Sequence, residues 1–183
     1  MERINLSQFP ILDALKAWDE YTYLHSVNVY QLALLLGIEA KYSDEQLRQL
    51  GYGALLHDIG KLFVPQEILT KPGSLDSQEI LVVRQHPEKG YEISPPLPSA
   101  SKAIILQHHE NWDGSGYPRG LSDKAIHPFA RIVTIADVYD ALVSHRVYAP
   151  PWSGDDALGY IKKLAGIKFD PDVVACWTKT TYK

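Results

Sequence analysis

An all-α fold is predicted for this 183-residue chain on three observations. Apolar residues recur at helical spacing along most of its length, period-two strand patterns are scarce, and helix-start signals precede the periodic stretches. Trp18 to Leu36 is apolar at helical spacing and stops at Gly37, which suits a C-terminal cap. Ser43-Asp44-Glu45-Gln46 forms a capping box for a helix through Leu47, Leu50, Ala54 and Leu55. Asp76 with Glu79 opens another, expected to end near His86 because Pro87 follows. After the rigid Pro95-Pro96-Leu97-Pro98 break, Ser99 is expected to cap a helix carrying Ile104, Ile105, His108 and His109. Pro128 fits the first turn of a helix with Ile132, Ile135, Ala136 and Leu142, and Asp155 and Pro171 mark two further starts. From Glu110 to Ala125 the pattern breaks, and Asp113-Gly114-Ser115-Gly116-Tyr117-Pro118 concentrates turn formers directly after the double histidine.

Composition sets the outer limits. A hydrophobic content of 45% and a charged content of 22% suit one globular domain, taken to span residues 1–183. The net charge of -4 argues against a nucleic-acid polymer as partner, so an anionic substrate would need local cations or metal. The single Cys176 excludes an internal disulfide and fits a reducing compartment. Charge and Pro10 come too early for a secretory segment, and no apolar run approaches ~18 residues. A cytoplasmic protein with no membrane span is the expectation.

The chemistry lies in the histidines. Five of the seven sit in four short clusters: His25, His57-Asp58, His86 and His108-His109. Asp137 adds a carboxylate inside the apolar run Ile132 to Val138, with Asp140 following it. Imidazole nitrogens mixed with carboxylate oxygens suit Fe, Mn, Ni or Zn. So many ligands exceed what one tetrahedral zinc uses, and a two-metal centre that activates water is the economical reading. The flanking Leu55, Leu56 and Ile59 would bury His57 and Asp58 together, and a buried pair of this kind needs a partner. Lys61 follows closely enough to stabilise a phosphoryl oxygen or protonate a leaving group. His127 and His145 read as non-ligands, and Cys176 as an idle thiol.

The run His57-Asp58-Ile59-Gly60-Lys61 resembles the HD motif of metal-dependent phosphohydrolases. The run from His108 to Pro118 is similar to HHExxDGxGYP, the signature of the HD-GYP branch of that superfamily. Lys71-Pro72-Gly73, His86-Pro87 with Gly90, and the segment Ala136 to Leu142 fall in the same order, so the resemblance covers roughly residues 20–175. It implies an HD-domain helical bundle with a glycine-rich loop beside the metals, hydrolysing cyclic di-GMP to pGpG or GMP. The implied metal ligands are His25, His57, Asp58, His86, His108, His109 and Asp137, with Asp58 bridging two divalent ions, iron first and manganese next. Lys61 and Asp58 are the implied catalytic groups, and Tyr117 and Arg146 would line the substrate groove. A diguanylate cyclase (GGDEF) partner could dock through the loop at Tyr117.

Three departures from the family pattern accompany the match. Tyr21 stands where some members place a glutamate for a third metal, so two ions are expected. Ser144-His145-Arg146-Val147-Tyr148-Ala149 replaces the family's S-D-R-P-Y followed by a basic residue, which puts Ala149 where a phosphate contact is usual. No sensory or receiver domain is expected within the chain. The alternatives are hydrolysis of another nucleotide or a non-catalytic binding module.

Overall fold

The computed structural model describes residues 9–144 and 150–180. Among the described residues ten α-helices follow one another: α1 Pro10–Trp18, α2 Glu20–Glu39, α3 Asp44–Leu56, α4 Gln66–Leu69, α5 Ser77–Val83, α6 His86–Ile93, α7 Ser99–Gln107, α8 Pro128–Val143, α9 Gly154–Lys163 and α10 Pro171–Thr180. Two 3-10 turns, Ile59–Phe63 and Asp123–Ala125, interrupt the connections. Among the described residues there is no strand, only an isolated bridge between Ala165 and Phe169. The all-α prediction holds.

Local signals explain most helix ends. Asp19 closes α1 and opens α2, where its carboxylate accepts from the Thr22 N–H at 3.1 Å. The predicted capping box of Ser43 with Gln46 forms on α3, and Asp76 with Glu79, expected as a helix start, forms a second one on α5. Pro128 occupies the first turn of α8, and the His127 side chain caps it by accepting from the Phe129 N–H. His127 thus has a structural task, as expected of a non-ligand.

Three boundaries differ from the sequence expectation. α2 runs through Gly37 to Glu39, so Gly37 is no cap. A Cβ there would lie 2.7 Å from Leu47 and 2.9 Å from Leu50, so the glycine is needed for close packing of α2 on α3. Ser99 is the first residue of α7 rather than its cap, a place taken by Pro98 without a side-chain bond. The third concerns His86. α5 ends at Val83, and His86 begins α6 instead of ending a helix, with Pro87 tolerated in that first turn.

The core has two parts. In the larger, Val29, Ala33 and Leu36 of α2 meet Leu50 and Ala54 of α3, Ile104 of α7, and Ile132, Val133 and Ala136 of α8. α9 and α10 close it with Leu158, Ile161, Val174 and Trp177. The smaller joins Leu12 and Leu15 of α1 to Leu55, Leu56, Ile59 and Ile105. Buried positions on α2 fall at Thr22, His25, Ser26, Val29, Ala33 and Leu36, the spacing of one helix face. That face carries His25 inward. No helix among the described residues is long and apolar enough to cross a membrane.

Candidate metal centre

Four helix ends and two helix faces bring the predicted ligands together. His57 caps the C-terminus of α3, Asp58 opens the following 3-10 turn, His86 starts α6, and His108 caps α7. His25 approaches from α2 and Asp137 from α8. Asp58, His86, His108 and His109 each offer a ligand atom within 4.8 Å of one another, and so do His25, His57 and Asp58. Asp58 belongs to both groups. Asp137 joins through His25 Nε2 at 3.0 Å and His109 Nδ1 at 3.9 Å. Arg146, with His145 and Ala149, lies outside the described residues.

Backbone carbonyls fix the imidazoles. The Nδ1–H of His57 donates to Ala54 O at 2.7 Å, that of His86 to Val83 O at 2.7 Å, and that of His108 to Ile105 O at 3.0 Å. A carbonyl can only accept, so whenever such a ring is neutral its Nε2 carries the lone pair. Nε2 of His86 then faces Nε2 of His108 at 3.1 Å, two acceptors with no proton between them. Nitrogens at that spacing fit neighbouring positions on one ion with bonds of about 2.1 Å and an angle of roughly 90°. His57 Nε2 and Asp58 Oδ1 are buried without a hydrogen-bond partner. Each such orphan costs ~1–3 kcal/mol, which a bound cation would remove. The residues present fit divalent transition metal.

Electrostatics point the same way. Burial would raise Asp58, but the Lys61 ammonium at 2.7 Å holds it well below the usual carboxylate range. Burial pushes His86 down to about 4 and His109 to about 3, and lowers His108 as well, so these rings are neutral at neutral pH, the form that metal binding requires. His25 behaves oppositely. Burial would lower it, yet hydrogen bonds to Asp137 and Asp140 raise it to about 9.

Asp140 has a role the sequence reading did not assign. It accepts from His25 Nδ1 at 2.6 Å, from Asn28 Nδ2 at 3.0 Å and from Ser144 Oγ at 2.9 Å. Such a carboxylate orients a ligating histidine and raises its basicity. The only sequence signal was its position one turn after Asp137, on a helix whose inward face was otherwise apolar.

The glycine-rich loop is rigidly tied. Buried Glu110 accepts from the Arg119 N–H at 2.7 Å and the Leu121 N–H at 3.0 Å. Tyr117 N–H donates to His109 O at 3.1 Å, which returns the loop to the centre. A Cβ on Gly116 would meet the backbone of Glu110 and His109 at 2.5 Å, so no side chain fits there. The loop's other side is held by Trp112 N–H on Lys168 O and Asp113 N–H on Ile167 O. Tyr117, predicted to face substrate, stacks on His109 with ring centres 4.8 Å apart and planes 25° apart. Lys61 does not continue the α3 face, because the chain tightens into a 3-10 turn, and it pairs with Asp58 instead.

Residues 11–173 match the family model described as HD domain. The chain is 40% identical over 168 residues to the cyclic di-GMP phosphodiesterase PA4108 of Pseudomonas aeruginosa, covering 90% of this chain and 40% of that protein. To a cyclic di-GMP phosphodiesterase of Thermotoga maritima it is 37% identical over 179 residues, 93% of this chain and 49% of the relative. It therefore spans less than half the length of these relatives. Among solved structures, an HDG"Y"P protein of Bdellovibrio bacteriovorus, Bd1817, superposes with a TM-score of 0.72 at 23% identity, covering 88% of this chain and 52% of that one. At that identity the likeness establishes the fold.

Proposed function

From the premise that the chain belongs to the HD domain family, we propose that it is a metal-dependent phosphodiesterase hydrolysing cyclic di-GMP. The observation that carries the reading is Asp58, a buried carboxylate shared by two ligand groups and left with an unpartnered oxygen among lone-pair-bearing imidazoles. Its relatives' names supply the substrate class.

His86, His108, His109 and Asp58 would hold one ion, and His25, His57, Asp58 and Asp137 the other, with iron the first choice and manganese the second. When bound, such ions lower the pKa of water to yield a nucleophile near neutral pH and polarise the phosphoryl group. Hydrolysis breaks the phosphorus–oxygen bond to one ribose, and the leaving oxygen takes up a proton. Lys61 would hold the negative charge or supply that proton, because its ammonium sits 2.7 Å from the shared carboxylate. Asp140 would keep His25 in its ligating orientation, and Tyr117 would wall the groove from the side of His109. Arg146 keeps its proposed phosphate contact. The exposed Asp113, Ser115 and Arg119 of the loop would offer a docking face to a diguanylate cyclase (GGDEF) partner. A cytoplasmic setting, as a chain with a single cysteine suggests, belongs to the same proposal.

The test is an anaerobic preparation loaded with iron or manganese, its metal content measured, and its products separated after incubation with cyclic di-GMP. Two ions per chain and release of pGpG or GMP are expected. Absence of both products with every metal rejects the reading, and faster turnover of another cyclic dinucleotide would reassign the substrate.

A further inference from the structure

We propose that Arg84 holds the second, non-scissile phosphate of the substrate, so that the site selects nucleotides whose two phosphates lie one ribose apart. The inference rests on the hydrolase reading and deepens it. Arg84 caps the C-terminus of α5, two residues before His86, and its backbone N–H bonds Ile80 O at 2.9 Å. Its guanidinium carbon lies 5.0 Å from the centre of the Tyr117 ring, whose other neighbour is His109 at 4.8 Å. A stack thus steps outward from the metal ligands: imidazole, phenol, guanidinium.

The Arg84 side chain is exposed and makes no ion pair or side-chain hydrogen bond among the described residues. Neighbouring cations are already matched, Lys61 with Asp58 at 2.7 Å and Lys71 with Glu79 at 2.6 Å. A guanidinium laid over an aromatic ring keeps its N–H edge free, and that edge fits two phosphate oxygens at once. The need for it comes from the surroundings. Asp58, Asp137 and Asp140 line the centre and take up much of the charge of any ions held there, so a second phosphate further out gains from a cation of its own. A diester with one phosphate would use Lys61, the ions and the proposed Arg146 contact, and would not need Arg84. A cyclic dinucleotide carries a second negative group one sugar further out, and Arg84 stands two ring contacts out from the centre, through Tyr117 and His109.

The experiment compares cyclic di-GMP with bis-para-nitrophenyl phosphate, which has a single phosphate, on metal-loaded protein. Arg84→Gln should raise KM for cyclic di-GMP about tenfold to hundredfold with a smaller change in kcat. The ratio of kcat/KM for cyclic di-GMP over the single-phosphate diester should fall tenfold or more. Arg84→Lys should recover part of the loss, since an ammonium keeps the charge without the two-pronged geometry. Equal losses on both substrates would mean that Arg84 only props Tyr117, and would overturn the inference. Binding is read separately by calorimetry on the Lys61→Ala background, with and without Arg84→Gln. If the wild type binds cyclic di-GMP without cleaving it, the hydrolase reading falls while the Arg84 dependence of Kd still decides this one. An unchanged Kd, or no binding at all, overturns it.

Discussion

Asp140→Asn tests how the centre is held. The wild-type carboxylate accepts three hydrogen bonds, from His25 Nδ1 on one oxygen and from Asn28 and Ser144 on the other. An amide of the same shape accepts on one side only. If its oxygen faces His25, its NH₂ meets the Asn28 NH₂, and that bond is lost. If it turns over, the NH₂ faces His25 Nδ1, the ring must carry its proton on Nε2, and Nε2 can no longer ligate. Either way at least one bond to a buried charged acceptor disappears, about 1.5–3 kcal/mol. In the metal-free protein that corresponds to a fall in melting temperature of roughly 3–12 °C. Metal affinity should drop by about 10–100-fold, the usual effect of removing a carboxylate behind a ligating histidine. Scanning calorimetry of the metal-free form and competition against a chelator measure the two effects independently. Affinity within about twofold of wild type, with the melting temperature lowered as expected, would show that Asp140 only stabilises the fold and does not set the metal-binding tautomer of His25.

Further outcomes follow from the same geometry. Asp58→Ala should empty the centre and abolish hydrolysis while helical circular dichroism persists, and normal turnover in that variant would refute the shared-carboxylate assignment. Lys61→Ala should keep its metal by elemental analysis and lose about 10²–10⁴-fold in kcat. His25 sets a pH dependence of the metal-free protein. Its pKa is raised from 6.5 to about 9, so the stability it contributes is complete below pH 6.5 and is lost as pH rises through about 9. Between those values metal must displace its proton, so titrating metal into weakly buffered protein at pH 8 should release about one proton per chain from this ring. Uptake without proton release would show that His25 is not a ligand.

Several features were legible in the residues alone because they depend on neighbours a few positions away. The Ser43 and Asp76 capping boxes, the Pro128 start of α8 and the irregular loop after His109 are of this kind, each written within one or two turns. The candidate ligands were legible too, since His and Asp inside apolar runs must be satisfied by something once the runs are buried. What the sequence could not decide is which distant groups meet. Asp140 reaches His25 across 115 positions, and only the packing of α8 on α2 makes one a support for the other. Gly37 looks like a helix stop in the sequence, yet the close approach of α3 makes it an interior residue. His86 looks like the end of a helix, yet the chain turns at Gln85 and starts a new one. Arg84 is an unremarkable surface cation until Tyr117, 33 positions away by residue number, arrives beneath it. Short-range hydrogen bonding and periodicity fix the helices, whereas helix packing alone converts scattered polar side chains into one centre.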